Sequence, residues 1–398
     1  MKNFKPKFVA LLAALVVSSA AAFAQSGATR PRRVTPTQPT PAPAGTDGAT
    51  ATTRTRSTDL PPLGDTTRAY ALLNQKQYEA ALGEARAAAE RDPKNTEAWK
   101  IAGFAAYNLK QYAEAAKDLE RALELQRAAS EEDENTVDAL ARSYVFTEQF
   151  DKALPLLVAT TSRKGKAPDA SALYYRGLAE YRTNKTADAE RSFNAAVKVD
   201  PKLTGALFYL GRIAFDRKDD AAAISALNRA TLADPRLAEA WSYLTYAYMR
   251  RADAAQGAAA NADYLSAVKA SEGLLRARGN DDAATMLHAQ ALIRASQFVR
   301  AATALERLAA KPDAPGQTLY LLGLAHSRAK NLPKAVAALE RAAAQSPDDA
   351  NIYRELGYAL EASKQYAKAL AAYEKGLSLA PDDAYFKESA ERVRPFAK

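Results

Sequence analysis

An alanine that recurs at nearly constant spacing constrains the fold of this 398-residue chain more than any other feature. It occupies positions 81, 115, 153, 189, 223, 267, 301, 335 and 369, with steps of 34, 38, 36, 34, 44, 34, 34 and 34 residues. In eight of these nine copies a Gly or Ala lies twelve residues earlier, and in the sixth copy Thr245 takes this place at a spacing of 22. A fixed period of this length indicates a chain built from stacked copies of one small unit.

The unit is clearest in residues 350–381, ANIYRELGYALEASKQYAKALAAYEKGLSLAP. Apolar residues at helical spacing predict one helix around Gly357 and a second around Ala369, joined by a turn at residues 363–365. Pro381 cannot continue a helix and therefore ends the unit. The small side chains of Gly357 and Ala369 predict that the two helices cross closely.

This pattern resembles the tetratricopeptide repeat, a 34-residue helix-turn-helix unit with the consensus W-x2-L-G-x2-Y, A-x3-F, A and P. Trp99 and Trp241, the two tryptophans, both occupy the first consensus position. The resemblance implies an all-α, right-handed superhelical solenoid of about nine repeats at residues 64–383. An apolar stripe of Phe386, Ala390 and Val393 predicts a C-terminal capping helix and tail at residues 384–398.

Two repeats depart from the common spacing. The sixth carries ten extra residues within 252–263, which predicts that both of its helices lengthen around a turn displaced to Gly257. This insertion is either a protruding contact for a partner or tolerated drift at a hairpin tip. The third repeat has lengthened flanking loops and carries Pro155, which is expected to kink or delay its second helix. We therefore expect the third repeat to be the least regular.

The N-terminal residues 1–24 have the pattern of a bacterial secretory signal peptide. Lys2, Lys5 and Lys7 form a basic head, about fifteen apolar residues follow, and Ala22-Phe23-Ala24 matches a cleavage site. An uncleaved membrane anchor is the alternative, although the apolar run is short for a membrane span, which needs about 20 residues. The sequence thus predicts an exported, periplasmic protein with no transmembrane segment after cleavage, and an extracellular location is the alternative.

Residues 25–63 are rich in Pro, Thr, Ala and Gly, and they predict a disordered linker. The net charge of +9 is spread along the chain: the signal peptide contributes +3 and the linker +3, which leaves 9 − 3 − 3 = +3 for the repeats. A nucleic-acid partner is therefore not expected. The chain has no cysteine, so packing alone must stabilise it.

In the family that the repeats resemble, first helices line a concave groove, and residues near the small position face into it. Transferred by register, this rule predicts an aromatic and arginine-rich groove in this chain. The predicted groove residues are Lys100, Phe104, Tyr107, Arg142, Tyr174, Tyr181, Arg182, Phe208, Arg212, Phe215, Tyr246, Arg250, Arg294, Tyr320, Arg328 and Tyr358. The aromatic members are either presented to a ligand or packed within the repeats, and the sequence leaves both possibilities open.

Such a groove suits a protein or peptide ligand, because arginines pair with carboxylates and rings provide contact area. We therefore expect a non-enzymatic scaffold of the cell envelope that binds peptide or protein partners. A polysaccharide-binding scaffold in exopolymer export or cell-wall assembly is the alternative. The lysine–asparagine clamp of chaperone-binding family members is not expected, because Phe104 stands where the asparagine would follow Lys100.

Catalysis has little support in the sequence. The two histidines, His288 and His326, fall on the packed faces of first helices in different repeats, which is typical of core residues. The chain lacks a cysteine nucleophile and a Gly-rich phosphate loop. No enzyme activity, cofactor or metal is expected.

Overall fold

The computed structural model describes residues 65–163, 165, 167–279 and 281–397, and all regular secondary structure in these ranges is helical. The predicted signal peptide (1–24) and linker (25–63) lie outside the described residues. The chain divides into two compact units, Met1–Gln149 and Phe150–Lys398, which are described separately below. No described helix is both long enough and apolar enough to cross a membrane.

The first unit holds the first two repeats and the first helix of the third. Its helices are α1 (Thr67–Asn74), α2 (Tyr78–Arg91), α3 (Thr96–Asn108), α4 (Tyr112–Ala128) and α5 (Glu134–Phe146). The division between the units falls at the turn after α5, inside the third repeat. This is the repeat that the sequence predicts to be the least regular.

The second unit contains the remaining helices. They are α6 (Phe150–Thr161), α7 (Ala170–Arg182), α8 (Thr186–Val199), α9 (Thr204–Asp216), α10 (Asp220–Ala233), α11 (Ala238–Ala254), α12 (Gly257–Arg278), α13 (Asp282–Arg294), α14 (Phe298–Ala309), α15 (Gly316–Arg328), α16 (Leu332–Gln345), α17 (Ala350–Ala362), α18 (Tyr366–Leu379) and α19 (Ala384–Val393), followed by a 3₁₀ turn (Arg394–Phe396). Repeats four to nine are the successive pairs from α7–α8 to α17–α18. The predicted all-α repeat solenoid is confirmed.

The recurring small residues lie where the two helices of a repeat cross. All nine recurring alanines, from Ala81 to Ala369, have no exposed surface. A Cβ added at Gly103 would lie 2.5 Å from Cγ of Leu119, and one added at Gly357 would lie 2.4 Å from Cε1 of Tyr373. The period of the sequence therefore records a steric requirement, which is the close approach of two backbones.

The turn within each repeat is built in one recurring way. In the second repeat the residue after α3 and its cap, Lys110, has a left-handed φ of +62°. The next residue, Gln111, donates its N–H to the carbonyl of Ala106 at 2.9 Å, which closes the helix end. Left-handed non-glycine residues recur at this position in eight of the nine repeats: Lys76, Lys110, Glu148, Asn184, Lys218, Ser296, Lys330 and Lys364.

The consensus tryptophans and prolines also have a structural role. The indole N–H of Trp99 donates to the carbonyl of Pro93 at 3.1 Å, and that of Trp241 donates to Pro235 at 2.9 Å. Each bond joins the start of a repeat to the proline that ends the preceding one. The proline at 381 likewise follows the end of α18 at Leu379.

The lengthened sixth repeat agrees with the prediction. Its helices have 17 and 22 residues, against 13 and 14 in the fifth repeat. Gly257, with a φ of +62°, begins the second helix just beyond the displaced turn. Arg251 holds the hairpin together by donating to both carboxylate oxygens of Asp263 at 2.7 and 2.6 Å.

The predicted delay of the helix at Pro155 is wrong. Helix α6 begins at Phe150, three residues before the crossing alanine Ala153, which is the usual spacing, and it continues through the proline.

The second unit ends with the predicted capping helix α19, in which Phe386, Ala390 and Val393 are 0%, 3% and 1% exposed. The apolar stripe of α19 thus covers the last repeat, with Phe386 seated against Gly376 of α18.

Candidate functional site

The predicted groove residues differ widely in exposure. Phe208 and Tyr320 are only 4% and 6% exposed and belong to the core, so the prediction that they line a groove is wrong for these two. Four others are exposed: Arg182, Arg294, Arg328 and Tyr358. Ten are half-buried: Lys100, Phe104, Tyr107, Arg142, Tyr174, Tyr181, Arg212, Phe215, Tyr246 and Arg250. Most of the aromatic members are therefore packed to a large extent.

Many of these residues meet at junctions, the contacts between one repeat and the first helix of the next. Two positions meet at several of these junctions. One is the third residue before the crossing alanine, and the other is the fifth residue after the small position of the next repeat. In the first unit these are Tyr112 and Phe146, whose rings stack with centroids 4.3 Å apart. The predicted groove residue Tyr107 packs on Tyr112 at 5.6 Å, so this junction is closed by three rings.

Two junctions in the second unit are filled by a ring or an ion pair at the same two positions. Arg182 lies over the ring of Phe150 at 5.5 Å. Arg250 donates to both oxygens of Asp220 and lies over Phe215 at 3.9 Å. The guanidinium of Arg250, in the sixth repeat, is thus engaged by both helices of the fifth repeat.

The same pattern continues towards the C-terminus of this unit. Arg294 forms an ion pair with Asp253, and the Tyr264 hydroxyl donates to the same carboxylate at 2.7 Å. At the junction with α19, the ring of Tyr366 lies 5.3 Å from that of Phe396. Arg294, a predicted groove residue with an exposed side chain, is therefore also paired within the chain.

The junction between the fourth and fifth repeats is different because both positions carry small side chains, Thr186 and Asp216. Most other repeats place a large side chain where Thr186 stands: Tyr78, Tyr112, Phe150, Tyr264, Phe298, Leu332 and Tyr366. The remaining one, Asp220, is filled by its pairing with Arg250. A cleft of about 380 Å³ opens at this junction.

We call this cavity the repeat 4–5 cleft. Its lining residues are Tyr181, Arg182, Asn184, Thr186, Ile213, Asp216 and Arg217. Two of them, Tyr181 and Arg182, are among the predicted groove residues. The others were missed because the register rule considers only certain positions on the first helices. The cleft exists because Thr186 and Asp216 are smaller than the side chains that fill the equivalent space at other junctions.

Arg212, one turn before Asp216 on α9, lies beside the cleft between two tyrosines. Its guanidinium carbon is 5.4 Å from the ring centroid of Tyr181 and 5.8 Å from that of Tyr243. Its Nε atom is buried without a hydrogen-bond partner among the described residues. Two rings therefore hold this cation in place while leaving its hydrogen-bonding capacity incomplete. Tyr243 was also missed by sequence, because it lies two residues before the small position of its repeat, Thr245, and the register rule did not select that offset.

The charges around the cleft are only partly balanced. Arg217 donates to both oxygens of Glu190 at 2.7 and 3.0 Å, so its charge is engaged. Arg182 and Arg212 form no ion pair within 4.0 Å with any carboxylate that the structure describes. Desolvation raises the pKa of the Asp216 carboxyl, an effect that nearby Arg212 and Arg250 oppose. The site thus offers two cationic groups and one carboxylate to a ligand.

The phenols around the cleft remain protonated at neutral pH. Burial is the main cause that raises the pKa of Tyr181, Tyr209 and Tyr243 above the usual tyrosine value. These side chains can therefore donate hydrogen bonds but do not act as bases. Recognition by contact and hydrogen bonding is the chemistry that this arrangement supports.

The histidines lie in the core, as expected from their register. His288 and His326 are 7% and 6% exposed, and burial lowers the pKa of each. Nδ1 of His288 lies 2.9 Å from the hydroxyl oxygen of Ser271. Within the described ranges no three His, Asp or Glu side chains are grouped so that they could hold a metal ion.

Comparisons with known proteins agree with the repeat pattern. A family model described as "Tetratricopeptide repeat" matches residues 66–132, 139–201, 177–239 and 320–384. No curated protein sequence matches the chain significantly. Among solved structures, YrrB, described as a TPR protein with an unusual peptide-binding site, is 16% identical with a TM-score of 0.43, covering 51% of this chain and 99% of YrrB.

Two bacterial structures are similar to comparable degrees. MamA from Desulfovibrio magneticus RS-1 is 20% identical with a TM-score of 0.40, covering 46% of this chain and 97% of MamA. A tetratricopeptide repeat protein from Parabacteroides merdae is 16% identical with a TM-score of 0.40, covering 66% of this chain and 98% of that protein.

Proposed function

Because the chain belongs to the tetratricopeptide repeat family, whose members generally serve as protein-interaction scaffolds, we propose that it binds a protein or peptide partner at the repeat 4–5 cleft. One observation carries this proposal. At this junction the side chains that fill the equivalent space elsewhere are replaced by Thr186 and Asp216, and a cleft opens between arginines. An inserted side chain of a partner would occupy the missing volume.

The charges favour a partner segment with an acidic residue. Arg182 and Arg212 form no ion pair within 4.0 Å with a carboxylate of the described residues, and guanidinium groups bind carboxylates through paired hydrogen bonds. The Asp216 carboxylate can accept a hydrogen bond from a neighbouring backbone N–H or cationic group of the same segment. The rings of Tyr181 and Tyr243 already hold Arg212 in place, which lowers the entropic cost of binding.

A polysaccharide ligand has weaker support. Sugar rings bind to aromatic faces that are open to solvent. Of the predicted groove aromatics in the second unit, only Tyr358 is exposed, at 44%. Binding of a carbohydrate instead of a peptide is therefore the alternative result of the binding experiment.

The cleft can be closed without changing the fold. Thr186→Tyr introduces the residue that the second and ninth repeats carry at the same position, so the substitution is compatible with the repeat. Ala187→Tyr is the matched control, because Ala187 is the next residue, is exposed and does not line the cleft. Arg212→Ala removes the cation and leaves the cleft open.

We expect peptides selected from a random display library against the full chain to carry an acidic residue at a fixed position. Their binding, measured by fluorescence polarisation, should weaken at least about tenfold in Thr186→Tyr and Arg212→Ala and stay unchanged in Ala187→Tyr. Peptides that bind all variants equally would refute the assignment to this cleft. Specific binding on a glycan array, with no selectable peptide, would instead support the polysaccharide alternative.

The same proposal places the protein in the cell envelope, on the strength of the pattern in residues 1–24. Mature protein isolated from its native cells should begin at Gln25. N-terminal sequencing that finds a chain starting at Met1 would contradict export by cleavage.

A further inference from the structure

A second group of polar atoms lies in the second unit, at the eighth and ninth repeats. It is far along the sequence from the repeat 4–5 cleft. Glu355 on α17 is 9% exposed, and its Oε1 atom accepts a hydrogen bond from Nη2 of Arg328 at 2.9 Å. Its other carboxylate oxygen, Oε2, is buried with no hydrogen-bond partner in the part of the chain that the structure describes. Buried carboxylate oxygens are nearly always hydrogen-bonded, so this oxygen marks a place where a donor is missing.

The neighbouring cation, Arg354, is engaged through its terminal nitrogen. Arg354 forms an ion pair with Asp383, and its guanidinium carbon lies 5.0 Å from the ring centroid of Tyr385, while its Nε atom is buried without a hydrogen-bond partner among the described residues. On another side, burial and, to a lesser degree, the charge of Glu355 raise the pKa of Tyr320, so that phenol stays neutral. Neither Arg354 nor Tyr320 forms a hydrogen bond or ion pair with Glu355, so among the described residues Arg328 is its partner.

Arg328 shows what kind of group fits here. Its side chain is exposed, yet its guanidinium both pairs with Glu355 and lies 5.5 Å from the ring centroid of Tyr358. A carboxylate below and an aromatic face beside a guanidinium are the two elements of a cation-binding site. Arg328 uses one carboxylate oxygen, although a freely positioned guanidinium could bind both.

We propose that Glu355 and Tyr358 form a recognition site for an arginine side chain of the protein partner, and that Arg328 occupies this site in the free protein. The incoming guanidinium displaces Arg328, pairs with both oxygens of Glu355 and lies against Tyr358. The exposed Arg328 then turns into solvent. The source of the arginine rests on the proposed function, but the site shares no residue with the repeat 4–5 cleft.

The test uses the full chain and a defined probe, N-acetyl-arginine amide, titrated by NMR with labelled tyrosine side chains. Glu355→Gln should abolish the shift of the Tyr358 resonance, and N-acetyl-citrulline amide, which has the same shape without charge, should not bind. Arg328→Ala removes the internal occupant and should bind the probe more tightly than the unaltered protein. An increase of about tenfold corresponds to one charge-assisted hydrogen bond that no longer has to be displaced.

Controls separate this site from general effects. Arg394→Ala removes an exposed arginine that pairs with Glu374 near the end of the same unit, and it should leave probe binding unchanged. If Glu355→Gln does not fold by circular dichroism, Tyr358→Leu replaces it, because Tyr358 is exposed and its loss leaves the core intact.

The proposal is wrong if the probe does not bind, if Glu355→Gln or Tyr358→Leu binds it as tightly as the unaltered protein, or if Arg328→Ala weakens binding. Thr186→Tyr should have no effect on the arginine probe. Failure of the cleft proposal and failure of this one are therefore distinguishable.

Discussion

The close crossing of helices within a repeat can be tested by adding one methyl group at two glycines of the first unit. Gly103 on α3 lies at a crossing, whereas Gly83 on α2 is exposed with nothing within 4 Å of an added Cβ. Changing either residue to Ala stabilises its helix by about 1 kcal/mol through helix propensity. This gain is common to both variants, so the difference between them isolates the steric effect.

At Gly103 the added Cβ would lie 2.5 Å from Cγ and 3.2 Å from the backbone nitrogen of Leu119. Leu119 is completely buried, and its backbone cannot move without displacing α4. Overpacking of this kind costs about 1–3 kcal/mol. We therefore expect Gly83→Ala to raise the free energy of unfolding, and Gly103→Ala to lie about 1–3 kcal/mol below Gly83→Ala.

Urea unfolding followed by circular dichroism measures both variants. Each repeat packs on its neighbours, so a nearest-neighbour model should be fitted to the curves. Equal free energies of unfolding for the two variants would refute the steric origin of the recurring small residue.

Two further perturbations address the turns and the C-terminal end. Lys110→Gly should raise the free energy of unfolding by about 1 kcal/mol, because a left-handed φ of +62° is costly for a side chain and free for glycine; a lower melting temperature would contradict this. Glu361 accepts hydrogen bonds from Arg392 and Tyr373, and the Arg392 bond is the main cause that lowers its pKa. The free energy that the ionised Glu361 carboxylate contributes to folding should be fully present above the ordinary glutamate pKa. It should be lost as the pH falls through the lower pKa that this carboxyl has in the folded protein. Urea midpoints of Glu361→Gln should therefore depend less on pH between about 5 and 3 than those of the unaltered chain, and parallel curves would contradict this assignment.

The architecture was predictable because a single steric condition repeats along the chain. A close helix crossing tolerates only small residues, so Ala81 to Ala369 are visible in the sequence as a period, and all of them are buried. The insertion of the sixth repeat was visible for the same reason, as a departure from that period.

Exposure of the groove residues was not predictable from register alone. Phe208 occupies the same position as Lys100, which is half-buried, yet its ring packs against Tyr209 and Tyr243 with centroids 5.3 and 5.9 Å away. Whether such a ring faces solvent depends on which side chain the next repeat places beside it. Register within one repeat does not contain that information.

The cleft left a signal in the sequence that a different comparison would have found. Placing the third residue before each crossing alanine side by side shows large side chains in most repeats and Thr186 in the fourth. The fifth residue after the small position is Asp216 at the same junction, where other repeats carry Phe146, Arg182 or Arg250. Comparing positions between neighbouring repeats would therefore have located the cavity.

Site-specific photo-cross-linking in the cells that produce the protein tests the central claim most directly. A benzoylphenylalanine at position 187 borders the cleft without filling it, and the matched position is Leu232, which is 81% exposed on the second helix of the fifth repeat. We predict a discrete protein adduct from position 187 that disappears when Arg212 is changed to Ala, and none from position 232. The same adducts from both positions, or an adduct at 187 that persists without Arg212, would contradict binding at the repeat 4–5 cleft.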